Sequence, residues 1–374
     1  MLLKNLKLKN FRNYEYLDLS NIQSSRLVIV GDNAQGKTNL LEAIYFLAFA
    51  SSYRASKELE VIKWNEEEAV IYAELFTALS TSKELNLVIR KGSNKKVKLD
   101  GQLQKRMASF VGQIKVVLFS STDLELIRGV PSERRKFLDK LLVQVYPNYY
   151  RQLQVYNKII QQKNHLLKQI RDLSSSDKQI LEVWNEQLAE ISTGIYEFRF
   201  NLIRDFSKLV SMYHSKIASI NEKVSIKYNP SIPIDDILEL DKETIKRKIL
   251  SFINQNSYKE IARGQSLYGL HRDDISFFIN DMDAKSFASQ GQQRTLVLSL
   301  KLAEIKYIKD MTNETPILLL DDVMAELDKK RQQHLLEVVG LETQTFITTT
   351  HLEDFSENCL SESSLLYINS GKIV

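Results

Sequence analysis

Gly31-Asp32-Asn33-Ala34-Gln35-Gly36-Lys37-Thr38 follows the apolar run Leu27-Val28-Ile29-Val30 and precedes Asn39-Leu40-Leu41-Glu42-Ala43-Ile44. The octet satisfies G-x-x-x-x-G-K-[ST] at every fixed position and stands between a strand-like and a helix-like segment, the context a phosphate cradle requires. Its glycines let backbone N–H groups turn onto an anion, and the helix opening near Lys37 aims its positive dipole end at the same point. In this pattern Lys37 reaches the β- and γ-phosphates of a nucleotide and the Thr38 hydroxyl holds Mg²⁺. An ordinary glycine-containing strand–helix turn is the competing reading, and the two correct flanks count against it.

Far downstream, Ile317-Leu318-Leu319-Leu320 runs into Asp321-Asp322. Four unbroken apolar residues predict a strand buried on both faces, as in a parallel sheet with helical cover. A strand-end carboxylate there is the second Mg²⁺ holder of a P-loop NTPase, which assigns Asp321. Asp322, one residue on, points at the attacking water. Between these elements Ser289-Gln290-Gly291-Gln292-Gln293 opens a helical stretch expected from Arg294 to Lys309. A small hydroxyl and a glycine ahead of a helix make another anion site. Alone the pentad is weak; its order relative to the octet and the aspartate pair makes it specific.

The pentad resembles the signature motif of ABC-type ATPases, in which this element contacts the γ-phosphate bound by the other subunit. The resemblance gives Ser289, Gly291 and Gln292 that role. Ala325-Glu326-Leu327-Asp328 is similar to the loop that follows the aspartate pair in that superfamily. Thr348-Thr349-Thr350-His351 ends a strand expected from Thr343 to Thr349, as the switch histidine does. Within the ABC/SMC-type P-loop ATPase family the chain resembles the RecF branch of recombinational-repair ATPases. Further strings carry this: Asn10-Phe11-Arg12-Asn13-Tyr14, Arg134-Arg135-Lys136-Phe137-Leu138-Asp139 and His271-Arg272-Asp273-Asp274. They run in order along essentially the whole chain. Departures are local: Leu270 and Ser121 stand where the family tends to have proline, and Ala325 where it has serine.

The resemblance implies an ATP- and Mg²⁺-dependent homodimer that grips duplex DNA near single-strand gap junctions. It further implies slow, DNA-dependent ATP hydrolysis, function with RecO and RecR in loading the RecA recombinase, and no membrane partner. Catalysis would fall to Lys37, Asp322 and His351. Asp322 replaces the usual glutamate and is one methylene shorter, so slow turnover is expected. The ATP-binding subunit of a transporter is the first alternative, and the long separation of Lys37 from Ser289 counts against it. A nucleotide-gated DNA clamp without significant turnover is the second.

Bulk properties are those of an ordinary globular protein, with 43% hydrophobic and 26% charged residues over 374 positions. The longest apolar stretch, Ala43 to Ala50, is too short to span a bilayer, and no signal-peptide core is visible at the N-terminus. The single cysteine, Cys359, excludes an internal disulfide, and a cytoplasmic location is expected. A net charge of +4 does not announce a nucleic-acid binder. Local clustering says more: Lys91, Lys95, Lys96, Lys98, Lys105 and Arg106 crowd a region where Asp100-Gly101 predicts a two-residue hairpin turn. A solvated loop competes with contact to DNA phosphates, for which Lys95, Lys96, Lys105, Arg106 and Arg54 are the candidates.

The fold class is α/β, an ABC-type P-loop ATPase head with a mixed sheet and an inserted helical lobe. The expected division is 1–125 (N-terminal part of the head), 126–260 (helical lobe) and 261–374 (C-terminal part of the head). A helix is expected from Lys37 to Phe49 and a buried strand over Lys115 to Phe119. Two helices should pair as a hairpin about Ser174-Ser175-Ser176, with Lys163 interrupting the first apolar seam. Gln113 is a candidate Mg²⁺ and water contact, Arg12 a candidate neighbour of the nucleotide. His165, His214 and His334 lack metal-ligand spacing.

Overall fold

The computed structural model describes residues 1–78, 81–173, 178–218, 222–234, 237–324, 327–355 and 360–374. Two compact units emerge: Met1–Asp123 with Val297–Val374, and Leu124–Leu296. The chain first lays down β1 (Leu2–Phe11), β2 (Tyr14–Leu19), β3 (Arg26–Val30), α1 (Lys37–Phe49), β4 (Glu68–Phe76), β5 (Ser82–Arg90), β6 (Lys96–Leu99), β7 (Gln102–Leu103) and β8 (Val116–Ser120). The expected helix and the hairpin about Asp100-Gly101 are both present, the latter with Leu99 opposite Gln102. Apolar side chains surround α1, and Leu40, Leu41, Ile44, Phe46 and Leu47 are all fully buried. A helix that is apolar all round belongs inside a core.

The second unit follows, with α2 (Glu125–Arg128), α3 (Pro131–Val145), α4 (Tyr149–Leu173), α5 (Lys178–Ile217), β9 (Val224–Asn229), α6 (Lys242–Gln255), α7 (Ser257–Arg263), β10 (Asp274–Ile279), β11 (Met282–Asp283), α8 (Ala284–Phe287) and the start of α9 (Gln290–Thr312). It ends at Leu296 rather than the expected 260 and is not purely helical. The reason is pairing: β10 is antiparallel to β9 from Asp274↔Asn229 to Ile279↔Val224, which ties the returning segment to the lobe. Helices α4 and α5 pack together, with Leu166, Leu167, Ile170 and Leu181 as one seam. Lys163 does not break that seam outward; it is fully buried and paired with Glu260 at 2.7 Å.

A buried arginine organises this unit. Arg199 donates to Asp139 Oδ1 at 2.8 Å, to the Tyr228 hydroxyl at 2.9 Å and to the Leu270 carbonyl at 3.1 Å. Asp273, also buried, takes the Tyr228 hydroxyl at 2.5 Å and Ser231 N–H at 2.7 Å. Arg134 forks onto Asp274 at 2.7 and 2.9 Å, and Arg135 donates to the Asp273 carbonyl. The two charged strings Arg134 to Asp139 and His271 to Asp274 are therefore one network. Leu270 contributes its carbonyl, which the family's proline also possesses. His271 lies 2.7 Å from the Tyr156 hydroxyl, and burial pushes its imidazole down to about 4.

The chain then returns to the first unit with β12 (Ile317–Asp321), α10 (Lys329–Val339), β13 (Thr345–Thr349), β14 (Ser364–Asn369) and β15 (Lys372–Ile373). One sheet has the order β15-β14-β3-β13-β12-β8, parallel except for the β14–β15 pair. The N-terminal antiparallel strands form a second sheet, β2-β1-β4-β5-β6-β7. Their alternating burial suits a sheet with one wet face, whereas β3 and β13 are buried at every residue.

Replacing Arg199 with alanine removes the cation that Asp139 and the buried Asp273 share and a donor to the Leu270 carbonyl, and should cost about 3–5 kcal/mol in urea unfolding. Exposed Arg204→Ala should change stability by less than about 0.5 kcal/mol. Equal effects would show that the buried network is not what holds the unit.

Candidate functional site

Five parallel strands end at one edge of the sheet. Val30 stands opposite Thr349, and Asp321 stands opposite both Thr348 and Ser120. Open parallel sheets bind ligands at the carboxyl ends of their strands. The octet leaves β3 here and enters α1. Gly36 caps that helix with φ 117°, and a Cβ there would lie 2.7 Å from Asn13 Nδ2. A Cβ on Gly31 would meet the Ile368 carbonyl oxygen at 2.4 Å. Gly36 is therefore required by its left-handed conformation as well as by close approach, and Gly31 by close approach to backbone alone.

Residues on two other segments hold the loop. Asn13 Nδ2 donates to the Gln35 carbonyl and the Tyr14 hydroxyl to the Gly36 carbonyl, each at 2.9 Å. Gly371 N–H reaches the Gln35 carbonyl at 2.9 Å, and Ser370 N–H the Gln35 side chain at 2.6 Å. Asp32, Asn33 and Ala34 are exposed at the loop's rim. The buried Lys37 donates Nζ to the Gly31 carbonyl at 2.7 Å and the Asp32 carbonyl at 2.9 Å. Its ammonium thus spans the loop, where an anion's oxygens can replace the two carbonyls.

Thr38 Oγ1 donates to Asp321 Oδ1 at 2.8 Å. Thr348 Oγ1 approaches the same oxygen at 3.1 Å, and the Tyr53 hydroxyl donates to Asp321 Oδ2 at 2.8 Å. Burial, then the charge of Asp321, pushes the Tyr53 phenol far up, so it stays a donor. The Thr38 hydroxyl and Asp321 carboxylate fit a small hard cation that keeps water and phosphate oxygens in its shell, as Mg²⁺ does. Among the described residues there is no cluster of three or more His, Cys, Asp or Glu that could hold a metal unaided.

Asp322 occupies the left-handed region with φ 54°, and its N–H donates to Thr348 Oγ1 at 2.9 Å. Desolvation at the crowded strand end raises its carboxyl, Lys37 opposes the shift, and the charge of Asp321 adds to it. Strained backbone at such a position is held by its surroundings and is common at functional sites. His351 is exposed at the end of β13 on the same edge, its N–H bonded to Thr349 Oγ1 at 3.1 Å.

Ser289 and Gln292 form a capping box in the second unit. Gln292 N–H donates to Ser289 Oγ at 3.2 Å, and Ser289 N–H donates to Gln292 Oε1 at 2.8 Å. This S-x-x-Q spacing was present in the sequence and explains why α9 opens at Gln290, ahead of the expected Arg294. Gly291 lies in that first turn.

Other expected residues are placed elsewhere. Gln113 precedes β8, at the end of the sheet opposite Asp321, and it is engaged by Lys83 and the Ser109 carbonyl. It is not at this site. Arg12 forks onto the buried Glu42 at 2.7 and 2.8 Å and donates to the Glu60 carbonyl, so it braces α1 rather than lining the loop. Lys95 is spent on the Ala50 carbonyl at 2.7 Å, which closes α1, and on Glu58 at 2.5 Å. Lys96, Lys105 and Arg106 remain exposed. Exposed Arg54 donates to Asn39 Oδ1 at 3.0 Å, beside the loop's helix. His214 is buried against Glu222, whereas His165 is exposed. Ala325, Glu326 and Cys359 lie outside the described residues; Asp328 caps α10 through Arg331 N–H. Sequence reasoning missed Asn13, Tyr53, Thr348 and Ser370, whose roles depend on partners far along the chain.

The RecF/RecN/SMC N terminal domain family matches residues 2–373. The chain is 41% identical to the DNA replication and repair protein RecF of Halalkalibacterium halodurans over 373 residues, covering 100% of this chain and 99% of that protein. It is also 41% identical to that of Staphylococcus carnosus, covering all of both. Among solved structures, the recombination mediator protein RecF with ATPrS superposes with TM-score 0.91 at 33% identity, over 100% of this chain and 97% of that one. An Smc head bound to the C-winged helix domain of ScpA shares the fold at TM-score 0.55 and 14% identity.

On the reading that Asp322 orients the attacking water, Asp322→Asn keeps shape but removes that carboxylate, so nucleoside triphosphate turnover should stop while nucleotide binding persists. Because the carboxyl is raised above its ordinary 3.8, activity of the parent should fall on acidification before an unperturbed aspartate would protonate. A parent profile flat through the carboxylate range would remove Asp322 from the role of base.

Proposed function

The chain belongs to the RecF/RecN/SMC family, and from that premise we propose that it is an ATP-gated, duplex-DNA-binding repair ATPase that works as a two-fold dimer. The observation that carries this is the Thr38–Asp321 pair at 2.8 Å beside Lys37, on a sheet edge where five parallel strands end. In this reading Lys37 exchanges its Gly31 and Asp32 carbonyls for the β/γ-phosphate oxygens of ATP. Thr38 and Asp321 hold Mg²⁺, which neutralises phosphate charge when bound. Asp322 orients the attacking water and His351 faces the γ-phosphate.

Ser289 and Gly291 of the partner subunit would close over that phosphate, giving two equivalent sites in one isologous interface. The head is taken as Met1–Asp123 with the returning C-terminal segment. DNA contact is assigned to Lys96, Lys105, Arg106 and Arg54; Lys95 is excluded by its internal bonds. The neighbourhood of single-strand gaps, cooperation with RecO and RecR, RecA loading and a cytoplasmic setting follow from the family alone. Among the described residues no helix is long and apolar enough to cross a membrane. Asp322 in place of glutamate favours slow turnover, with gating rather than flux as the purpose.

Lys37→Met and Ser289→Arg should each be inactive alone. In a mixed dimer both lesions fall on one site, so random pairing should restore roughly a quarter of parental turnover if the sites act independently. Mixtures that stay dead while heterodimers form would refute composite sites.

Changing Lys96, Lys105 and Arg106 to Glu should weaken DNA binding and flatten its salt dependence, since fewer counterions are released. ATP-dependent dimerisation should survive. An unaltered salt slope would return these residues to a solvated loop.

A further inference from the structure

The capping box that opens α9 has an outside support. Gln292 Nε2 donates to Glu222 Oε1 at 2.8 Å, and Glu222 Oε2 lies 2.7 Å from Nε2 of His214. The His214 side chain is fully buried, near the end of the 40-residue helix α5. Glu222 itself is only 9% exposed at its side chain. Burial would raise the Glu222 carboxyl, but hydrogen bonds from Gln292 and His214 hold it below its ordinary value, so it stays ionised.

An ionised carboxylate only accepts hydrogen bonds, whereas an amide side chain has a donating end and an accepting end. Glu222 therefore obliges Gln292 to turn its NH₂ outward and its carbonyl oxygen toward Ser289 N–H. With that oxygen in place, Gln292 N–H and Ser289 Oγ complete the second half of the box. Were the amide to flip, its NH₂ would face Ser289 N–H, donor against donor, and the box would open.

We infer that Glu222, seated on buried His214, is a positioning residue: it sets the orientation of the Gln292 amide and so the shape of the Ser289–Gln292 turn offered to the nucleotide of a second copy. The inference rests on the composite site proposed above. Glu222 touches no nucleotide in this scheme and acts only through Gln292.

The test uses the full chain carrying Glu222→Ala. Affinity of the dilute monomer for a fluorescent ATP analogue should be unchanged, because the phosphate loop is untouched. The ATP concentration giving half-maximal dimerisation should rise about tenfold, the loss expected for one hydrogen bond to a charged group. Glu222→Gln keeps an accepting oxygen and should recover most of the effect. Mixed with Lys37→Met, the Glu222→Ala chain should regain turnover, since both lesions meet at one site and leave the other whole.

Parental dimerisation by Glu222→Ala would overturn the inference, as would equal weakening of monomer ATP binding. No recovery with Lys37→Met while Ser289→Arg does recover would overturn it alone, by placing Glu222 with its own chain's phosphate loop. Failure of the Ser289→Arg mixture as well would overturn the composite site beneath it.

Discussion

One hydrogen bond, from Thr38 Oγ1 to Asp321 Oδ1, joins segments that the whole second unit separates along the chain. It exists because β13 lies between β3 and β12 and sets both in register, with Thr349 opposite Val30 and Thr348 opposite Asp321. Thr348 serves both aspartates, donating to the Asp321 carboxylate and accepting the backbone N–H of Asp322. A one-residue slip in β13 would turn this hydroxyl to the other face and disassemble the site without touching the octet. The phosphate loop is thus legible as a motif but functional only as an edge of this sheet.

What could be read from residue order and what could not divide along a physical line. Helix α1, the hairpin at Asp100-Gly101 and the buried strand ending in Asp321 depend on local spacing and were legible. The partner that a long polar side chain finds depends on contacts distant in sequence. Lys95 belonged by spacing to a basic cluster, yet its ammonium closes α1 on the Ala50 carbonyl. Arg12, within a string read beside the nucleotide, neutralises the buried Glu42 instead. Gln113 had the right residue type, but β8 carries it to the wrong end of the sheet. Asn13 and Tyr14, in the same string as Arg12, are the residues that reach the loop, and only the fold distinguishes them.

The second unit spends charge inside its core. Arg199 with Asp139 and Asp273, and Lys163 with Glu260, are removed from water at a desolvation cost that their mutual attraction roughly offsets. Apolar side chains of similar volume would pack there at least as stably. What charged groups add is direction: the Arg199 guanidinium satisfies an aspartate, two tyrosine hydroxyls and the Leu270 carbonyl only in one arrangement of α3, α4, α5, β9 and the segment ahead of β10. This accounts for the two charged strings, which a hydrophobic pattern leaves unexplained.

Rigidity of that kind matters where a surface must meet a ligand it does not itself bind. Under the proposed function the phosphate loop grips ATP and ADP alike, so gating depends on contacts that only the γ-phosphate can make. Those contacts come from the turn opening α9, whose geometry is held by a capping box and by a carboxylate anchored on α5. A loose turn would pay ordering entropy at each closure and lose discrimination between nucleotides. Under the same proposal Asp322, with its short reach and raised carboxyl, would let the closed state persist. Affinity, closure and reopening are thereby assigned to different residues: Lys37 for the first, the Ser289 turn for the second, Asp322 for the third.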